Sequence, residues 1–308
     1  MFRYITERLG LSLLTLFLVV SITFLMLQFL PGSPFNDEKL SEEQKIILNE
    51  KYGLSDPLPV KYARYMGNVM KGDFGLSFKY DKQKVSDLII QRLPITVKVG
   101  TQALFMGVLI GIILGAIAAI KRGTSIDHIT IIIAILGVSV PSFVFGSLMQ
   151  LYLGVVIPIF PVVYNMSFMS TIMPSISLML YVISSTTRFM RTELVEVLNS
   201  DYILLARAKG LKRSVVIVKH AIRNALIPVV TIVGPMTVTL LTGSTVIEKI
   251  FGIPGVSFLL IEGVTLNDYF VILGVATFYS ALYIAVIFVV DLLYMVIDPR
   301  IRLQGGAK

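Results

Sequence analysis

The sequence predicts an all-α polytopic membrane protein. It should have six transmembrane helices, both termini in the cytoplasm, and a small extracytoplasmic subdomain between helices 1 and 2. Three observations predict this. The 308 residues are 55 % apolar and only 15 % charged, too greasy for a soluble domain of this length. Apolar runs long enough to cross a bilayer recur along the chain, each bounded by charge. The charges are also unevenly shared. Segments 1–8, 121–128, 188–224 and 298–308 hold fifteen Lys or Arg, whereas the short loops 158–171 and 248–269 hold Lys249 alone. That asymmetry places the first set inside. The long segment 31–94 carries ten basic and nine acidic residues, and long loops count little toward this rule.

The first span, Leu9 to Leu30, follows Arg3 and Arg8. It is too long for a cleaved leader, and Pro31-Gly32-Ser33-Pro34 is no small-residue cleavage site, so residues 1–30 read as an uncleaved signal anchor. Residues 31–94 read as the extracytoplasmic subdomain, with an amphipathic helix over Ser41–Tyr52 and turn-rich stretches after it. Residues 95–308 form the remaining membrane domain. Its first span, Ile95–Ile120, has Lys98 near the outer end, where a lysine can snorkel. Gly107, Gly111 and Gly115, followed by Ala119, repeat every four residues, a ridge that lets another helix come close.

The third span, Ile129–Ile157, is expected to kink at Pro141, with Ser139 and Ser142 re-satisfying freed carbonyls. The fourth, Ile172–Thr187, ends at Arg188 and Arg191 and continues as a cytoplasmic helix through Glu193 and Glu196. The fifth, Ala225–Ile247, contains Pro228 and Pro235. The following loop is apolar enough to dip back toward the membrane. The sixth is Phe270–Ile297, with a short basic tail behind it. Pro141, Pro228, Pro235 and the three glycines are the gating and packing candidates. Asp291 joins them as the one ionisable residue inside a span, about 10 Å before Asp298, expected to make an interhelical hydrogen bond.

Ser200 to Pro228 is the longest polar interruption in the second half. Ser200 or Asp201 can cap a short helix from Tyr202 to Lys209, a rod roughly 12 Å long. Gly210 can end it in a left-handed turn, and Ser214 can cap a second helix leading into the fifth span. Small Ala206 and Ala208 leave room for another surface, while Arg207, Lys209, Lys212 and Arg213 keep the element in water. The rod reads either as a docking element or as a basic loop that only orients the chain.

No catalytic or metal constellation is present in the sequence. His128 and His220 are far apart, both at membrane edges, and there is no cysteine. A phosphate-binding G-x-x-x-x-G-K-[ST] loop and a G-x-S-x-G elbow are both absent. The net charge of +8 sits in clusters at span ends rather than on a face with exposed aromatics, which excludes nucleic acid.

The order of short motifs is specific. It runs F-R-Y-I-x-x-R-L, P-G-S-P, Y-G-L-x-x-P, G-D-F-G-x-S, R-L-P-x-T, S-V-P-S-F, M-P-S-I, E-V-L-N-S-D-Y, A-R-A-K-G-L, G-I-P-G and D-P-R-I. Nearly the whole chain resembles the oligopeptide/dipeptide permease family of ABC importers. Ala206 and Gly210 match that family's coupling loop, whereas Leu204 stands where many ABC importers carry Glu. The resemblance implies a bacterial or archaeal cytoplasmic membrane and a permease that forms half of a translocation pore. It implies four protein partners: a second homologous permease, two cytoplasmic ABC ATPase subunits and an extracytoplasmic peptide-binding protein, with peptide as substrate. It also implies that this chain is no enzyme and binds no cofactor or metal, ATP and magnesium lying on the ATPase subunits. Loop 188–224 would then be the coupling loop, with Asp201, Tyr202, Ala206, Arg207, Ala208, Lys209, Gly210 and Leu211 in contact with the ATPase. Dipeptide, nickel or metallophore permeases of the same family are the alternative, then an ATP-independent carrier, or a receptor or scaffold that binds peptide without moving it.

Overall fold

The computed structural model describes residues 2–29 and 55–297. The helix expected over 41–52, the P-G-S-P turn and the basic tail lie outside the described residues. The described chain is built from helices: α1 (Phe2–Gln28), α2 (Leu58–Val69), α3 (Val85–Ile120), α4 (Ser125–Ser139), α5 (Ser142–Met149), α6 (Met169–Leu198), α7 (Asp201–Ala208), α8 (Arg213–Val215), α9 (Arg223–Leu241), α10 (Thr245–Ile250), α11 (Val256–Thr265) and α12 (Tyr269–Ile297). Wider π turns extend α5 over Gln150–Val156 and join α8 to α9 over Val216–Ile222. Five helical stretches are long and apolar enough to cross a membrane, and six if α4 and α5 with its π turn form one bent span. Hydroxyls within α1 answer to their own helix. Thr15, Ser21 and Thr23 each donate to the carbonyl four residues earlier, at 2.8, 2.7 and 2.8 Å, as polar groups in an apolar setting must.

Three boundaries differ from the sequence expectation. Helix α3 begins at Val85, ten residues before Ile95, and carries Pro94 within it. The R-L-P-x-T motif is therefore helical. At Pro141 the chain breaks rather than kinks. Val140 is extended, Pro141 occupies the N-cap position of α5, and the two arms differ by 95°. Ser139 donates to Ile135 O at 2.9 Å, a carbonyl inside α4 and not one freed by Pro141. The fifth span stops at Leu241, where Gly243 turns with φ +78°, and the hydroxyl of Ser244 accepts from Ile247 N to start α10.

The chain forms two compact units. One comprises residues 1–96 and 254–288. Its core joins Val20, Phe24 and Leu27 of α1, Tyr65 of α2, and Ile272 and Leu273 of α12. A second cluster joins Val85, Leu88 and Ile89 to Val256, Leu259, Val271 and Val275. The G-D-F-G-x-S motif gains a role here. The Asp73 carboxylate accepts from Gly75 N at 2.9 Å, and Ser77 donates to fully buried Asp268 at 2.5 Å. Asp268 also accepts from the amides of Phe78 and Lys79, at 2.9 and 3.1 Å. Nearby, Glu262 accepts from Tyr80 at 2.5 Å and from Arg92 at 2.6 Å.

The other unit comprises residues 97–253 and 289–308 and is organised on α6. The glycine ridge of α3 lies against that helix. A Cβ on Gly107, Gly111 or Gly115 would come within 2.7 Å of Val182, 2.6 Å of Thr186 or 2.5 Å of the Thr187 carbonyl. Gly137 of α4 meets the Ser184 hydroxyl in the same way, at 2.3 Å from a built Cβ. Close approach buries the α6 face carrying Val182, Thr186, Thr187 and Met190.

Candidate functional site

The site is the loop that follows α6. Helix α7 is eight residues long, and its two faces differ. Ile203 and Ala206 are buried against Met190 and Leu194 of α6, Ala116 and Ala119 of α3, and Val216, Ala221, Ala225 and Val229 further on. Tyr202, Leu204, Leu205 and Leu211 are exposed, as are Asp201, Arg207, Ala208, Lys209 and Gly210. A short helix can bury only one stripe, here residues three apart, so the outward apolar side chains have no cover within the unit.

The ends of the rod are built differently from one another. Ser200 is extended at the N-cap position, but its hydroxyl donates back to Val197 O at 2.6 Å instead of receiving an amide of α7. The expected side-chain cap is therefore not made, and Asp201 in the first turn answers the helix dipole instead. The C-terminal end closes as the glycine suggests. Gly210 has φ +77°, its amide donates to Arg207 O at 2.9 Å, and the amide of Leu211 reaches Ala206 O at 3.4 Å. No heavy atom lies within 4 Å of a Cβ built on Gly210, so only its backbone conformation demands glycine. Lys212, not Ser214, precedes the next helix, which starts at Arg213 and passes through the π turn into α9.

Ala206 thus serves packing inside the loop, and the face open to a partner is the one bearing Tyr202, Leu205 and Leu211. The rod shares one buried core with α3, α6 and the segment entering α9.

One ion pair escaped the sequence reading. Asp127, 1 % exposed at the start of α4, receives Arg191 of α6 through Nε at 2.6 Å and Nη2 at 2.8 Å. Its carboxylate also accepts from Gly123 N at 2.9 Å. The α3–α4 turn is thereby fastened to the stretch that leads into α7. The two residues are 64 apart in sequence, and nothing local announces the pairing.

The other candidates are spread through the helices. Pro141 marks the α4–α5 break, Pro228 and Pro235 lie inside α9, and Asp291 is half-buried in α12. Thr231 donates to Pro228 O at 2.5 Å and Thr239 to Pro235 O at 3.3 Å. Lys98 lies 5.7 Å from the Phe168 ring centre, a cation–π contact rather than simple snorkelling. Among the described residues no group of three or more His, Cys, Asp or Glu could hold a metal.

Comparison with known proteins bears on the whole chain. Residues 111–303 match the family described as binding-protein-dependent transport system inner membrane component, and residues 1–100 match its N-terminal companion. The dipeptide transport system permease protein DppB of Lactococcus lactis subsp. cremoris is 46 % identical, the match covering 98 % of this chain and all of that one. DppB of Bacillus subtilis is 38 % identical over 99 % of both chains. The oligopeptide transport system permease protein OppB of Haemophilus influenzae is 38 % identical, covering 98 % of this chain and all of its own. Among solved structures, an amino acid ABC transporter with histidines superimposes with a TM-score of 0.56 at 16 % identity, over 68 % of this chain and 94 % of that one. The MetNI methionine ABC transporter in inward-facing form gives 0.55 at 16 %, over 68 % and 96 %. The last two speak to fold alone. With the span pattern and the loop geometry, these matches show that the chain belongs to the binding-protein-dependent transport system inner membrane components, as a multi-pass permease subunit of the cytoplasmic membrane.

Proposed function

We propose that this permease imports short peptides, together with a second homologous permease, two cytoplasmic ATPase subunits and an extracytoplasmic peptide-binding protein. Peptide is common ground among the relatives, whose names specify dipeptide or oligopeptide transport. ATP and magnesium belong to the ATPase subunits, and this chain contributes half of the pore. The observation that carries the coupling role is the two-faced rod. One stripe, Ile203 and Ala206, is locked into the unit, while Tyr202, Leu204 and Leu205 stand outward on a helix eight residues long and Leu211 is exposed just beyond its end. An ATPase subunit that seats this outward face and closes on ATP would move α7 and, through the shared core, α3, α6 and α9. Two ligands biasing one two-state element is what coupling requires.

The test is a Leu204→Asp/Leu205→Asp double variant, co-expressed with all partners. Both side chains are exposed, so membrane insertion should persist. Loss of the ATPase subunits on purification, or ATP hydrolysis without peptide uptake, is the expected outcome. Full ATP-driven uptake by the variant complex rules out this docking face.

A further inference from the structure

In the unit containing α1, α2 and α12, aromatic side chains gather at one membrane edge, the one that the charge asymmetry puts outside. Phe24 lies near the end of the α1 span, Tyr269 and Phe270 open the α12 span, and Tyr62 and Tyr65 lie on α2. Tyrosines so placed settle at headgroup depth. Helix α2 is fastened across the two spans here. Tyr65 stacks on Phe24 with ring centres 5.4 Å apart and shares a 2.7 Å hydrogen bond with Thr277, while Lys61 donates to Gln28 Oε1 at 2.9 Å.

These elements leave a cavity of about 120 Å³ between them, close to the ~150 Å³ at which an apolar cavity takes a benzene-sized guest. Phe24, Phe270 and Leu273 give it an apolar wall. Its polar side chains come from one face of α2, with Lys61, Arg64 and Asn68 at i, i+3 and i+7, and from Asp73 in the following loop. Arg64 meets Asp56 at 2.6 Å through one nitrogen, and half of its side chain is exposed. A guanidinium carries five N–H donors, so that ion pair leaves others for a ligand. Asp73 accepts from Gly75 N at 2.9 Å through Oδ1, and a carboxylate has further acceptor sites.

Two features narrow the occupant. The first is continuity with lipid: Leu18, Ile22, Leu25 and Met26 are exposed on α1 beside the cavity, so acyl chains reach it along that helix. The second is charge. A phosphodiester is the anion found at this depth, and it suits Lys61 and Arg64. Asp73 calls for a donor in the same molecule. Ethanolamine or glycerol headgroups carry one, whereas choline carries none.

We infer that this cavity is a phospholipid site at the outer membrane edge, selective for headgroups that carry hydrogen-bond donors. The phosphate lies against Lys61 and Arg64, the headgroup donor meets Asp73, and the first acyl carbons fill the space beside Phe24, Phe270 and Leu273. The bound lipid ties α2 to the ends of α1 and α12, whatever the cargo.

The complete transporter is reconstituted in nanodiscs of equimolar palmitoyl-oleoyl phosphatidylethanolamine and phosphatidylcholine, extracted in mild detergent and weighed by native mass spectrometry. The two lipids have the same net charge and differ only in the methyl groups on the headgroup nitrogen, so their ratio reads the donor. The unaltered complex should retain phosphatidylethanolamine in at least five-fold excess. Asp73→Asn, which keeps an acceptor for Gly75 N, should abolish that excess. Lys61→Gln/Arg64→Gln should cost the complex one retained phospholipid. If that pair prevents assembly, Arg64→Gln alone should lower retention at least three-fold. An undiminished lipid count in the charge variants means that another occupant, a partner protein included, fills the cavity, and overturns the inference. Equal retention of the two lipids by the unaltered complex overturns the headgroup assignment.

Discussion

Arg191 holds Asp127 through two parallel hydrogen bonds, Nε to Oδ1 at 2.6 Å and Nη2 to Oδ2 at 2.8 Å. The pair ties the start of α4 to the helix that leads into α7, and its acid is almost wholly buried. Removing one member leaves the other without its ionic partner. Asp127→Ala is expected to destabilise the protein by about 3 kcal/mol. Arg191→Lys should cost less, because it keeps a positive charge opposite Asp127, but not nothing, because an ammonium group cannot reproduce the two-pronged geometry. Thermal denaturation of the purified complex in detergent measures both, and an unchanged midpoint for Asp127→Ala removes the clamp from the account.

Close approach of α3 and α6 depends on missing side chains. A Cβ at Gly115 would sit 2.5 Å from the Thr187 carbonyl and 2.7 Å from Met190 Cβ, neither of which can swing away. Gly115→Ala is expected to cost about 2 kcal/mol, in the range of overpacked cores. At Gly10 nothing lies within 4 Å, so Gly10→Ala should be neutral or slightly stabilising. Equal melting behaviour of the two variants argues against the ridge.

The loop over residues 77–79 is held by one carboxylate. Asp268→Ala leaves the Ser77 hydroxyl and the amides of Phe78 and Lys79 without their shared acceptor, at an expected cost of about 3 kcal/mol. Ser77→Ala removes one donor to Asp268 and the acceptor of the Lys79 and Tyr80 amides, and should cost about 2 kcal/mol. Trypsin cleavage at Lys79, Lys82 and Lys84 reports the difference. It should be fastest in Asp268→Ala, intermediate in Ser77→Ala and slowest in the unaltered protein.

Tyr65 sits in the core of the unit containing α1 and α2 and shares a 2.7 Å hydrogen bond with Thr277. Burial pushes its phenol up to about 12 from an ordinary value of 10.0. The folded state therefore keeps a proton that the unfolded chain gives up. Its contribution is intact below pH 10 and is lost between pH 10 and 12, by about 2–3 kcal/mol. Stability of Tyr65→Phe should lack this fall. A parallel decline in both proteins across that window assigns the effect to other groups.

Much of the architecture could be read from residues alone, and the reasons are local. Leu9–Leu30 had to be a spanning helix because no charge interrupts it, and the ridge Gly107, Gly111, Gly115 announced a close helix neighbour. Gly210 announced the turn that ends α7, since few other residues adopt φ +77°. The misplaced boundaries have local reasons too. The continuous apolar run begins at Ile95, yet α3 starts at Val85 and passes through Pro94, with Val85, Leu88 and Ile89 buried in a core ahead of the proline. The hydroxyl of Ser200 had two possible partners, and the carbonyl of Val197 took it.

Composition and charge asymmetry by themselves determined that this protein lives in a bilayer, and motif order determined its family, because hydropathy and short motifs are properties of contiguous residues. Only the tertiary structure decided that Ala206 turns inward while Leu204 and Leu205 turn outward, that Asp127 belongs to Arg191, and that Ser77 belongs to Asp268. Those relationships join residues up to 191 positions apart. They come from which faces of the helices meet, and packing of the whole unit settles that.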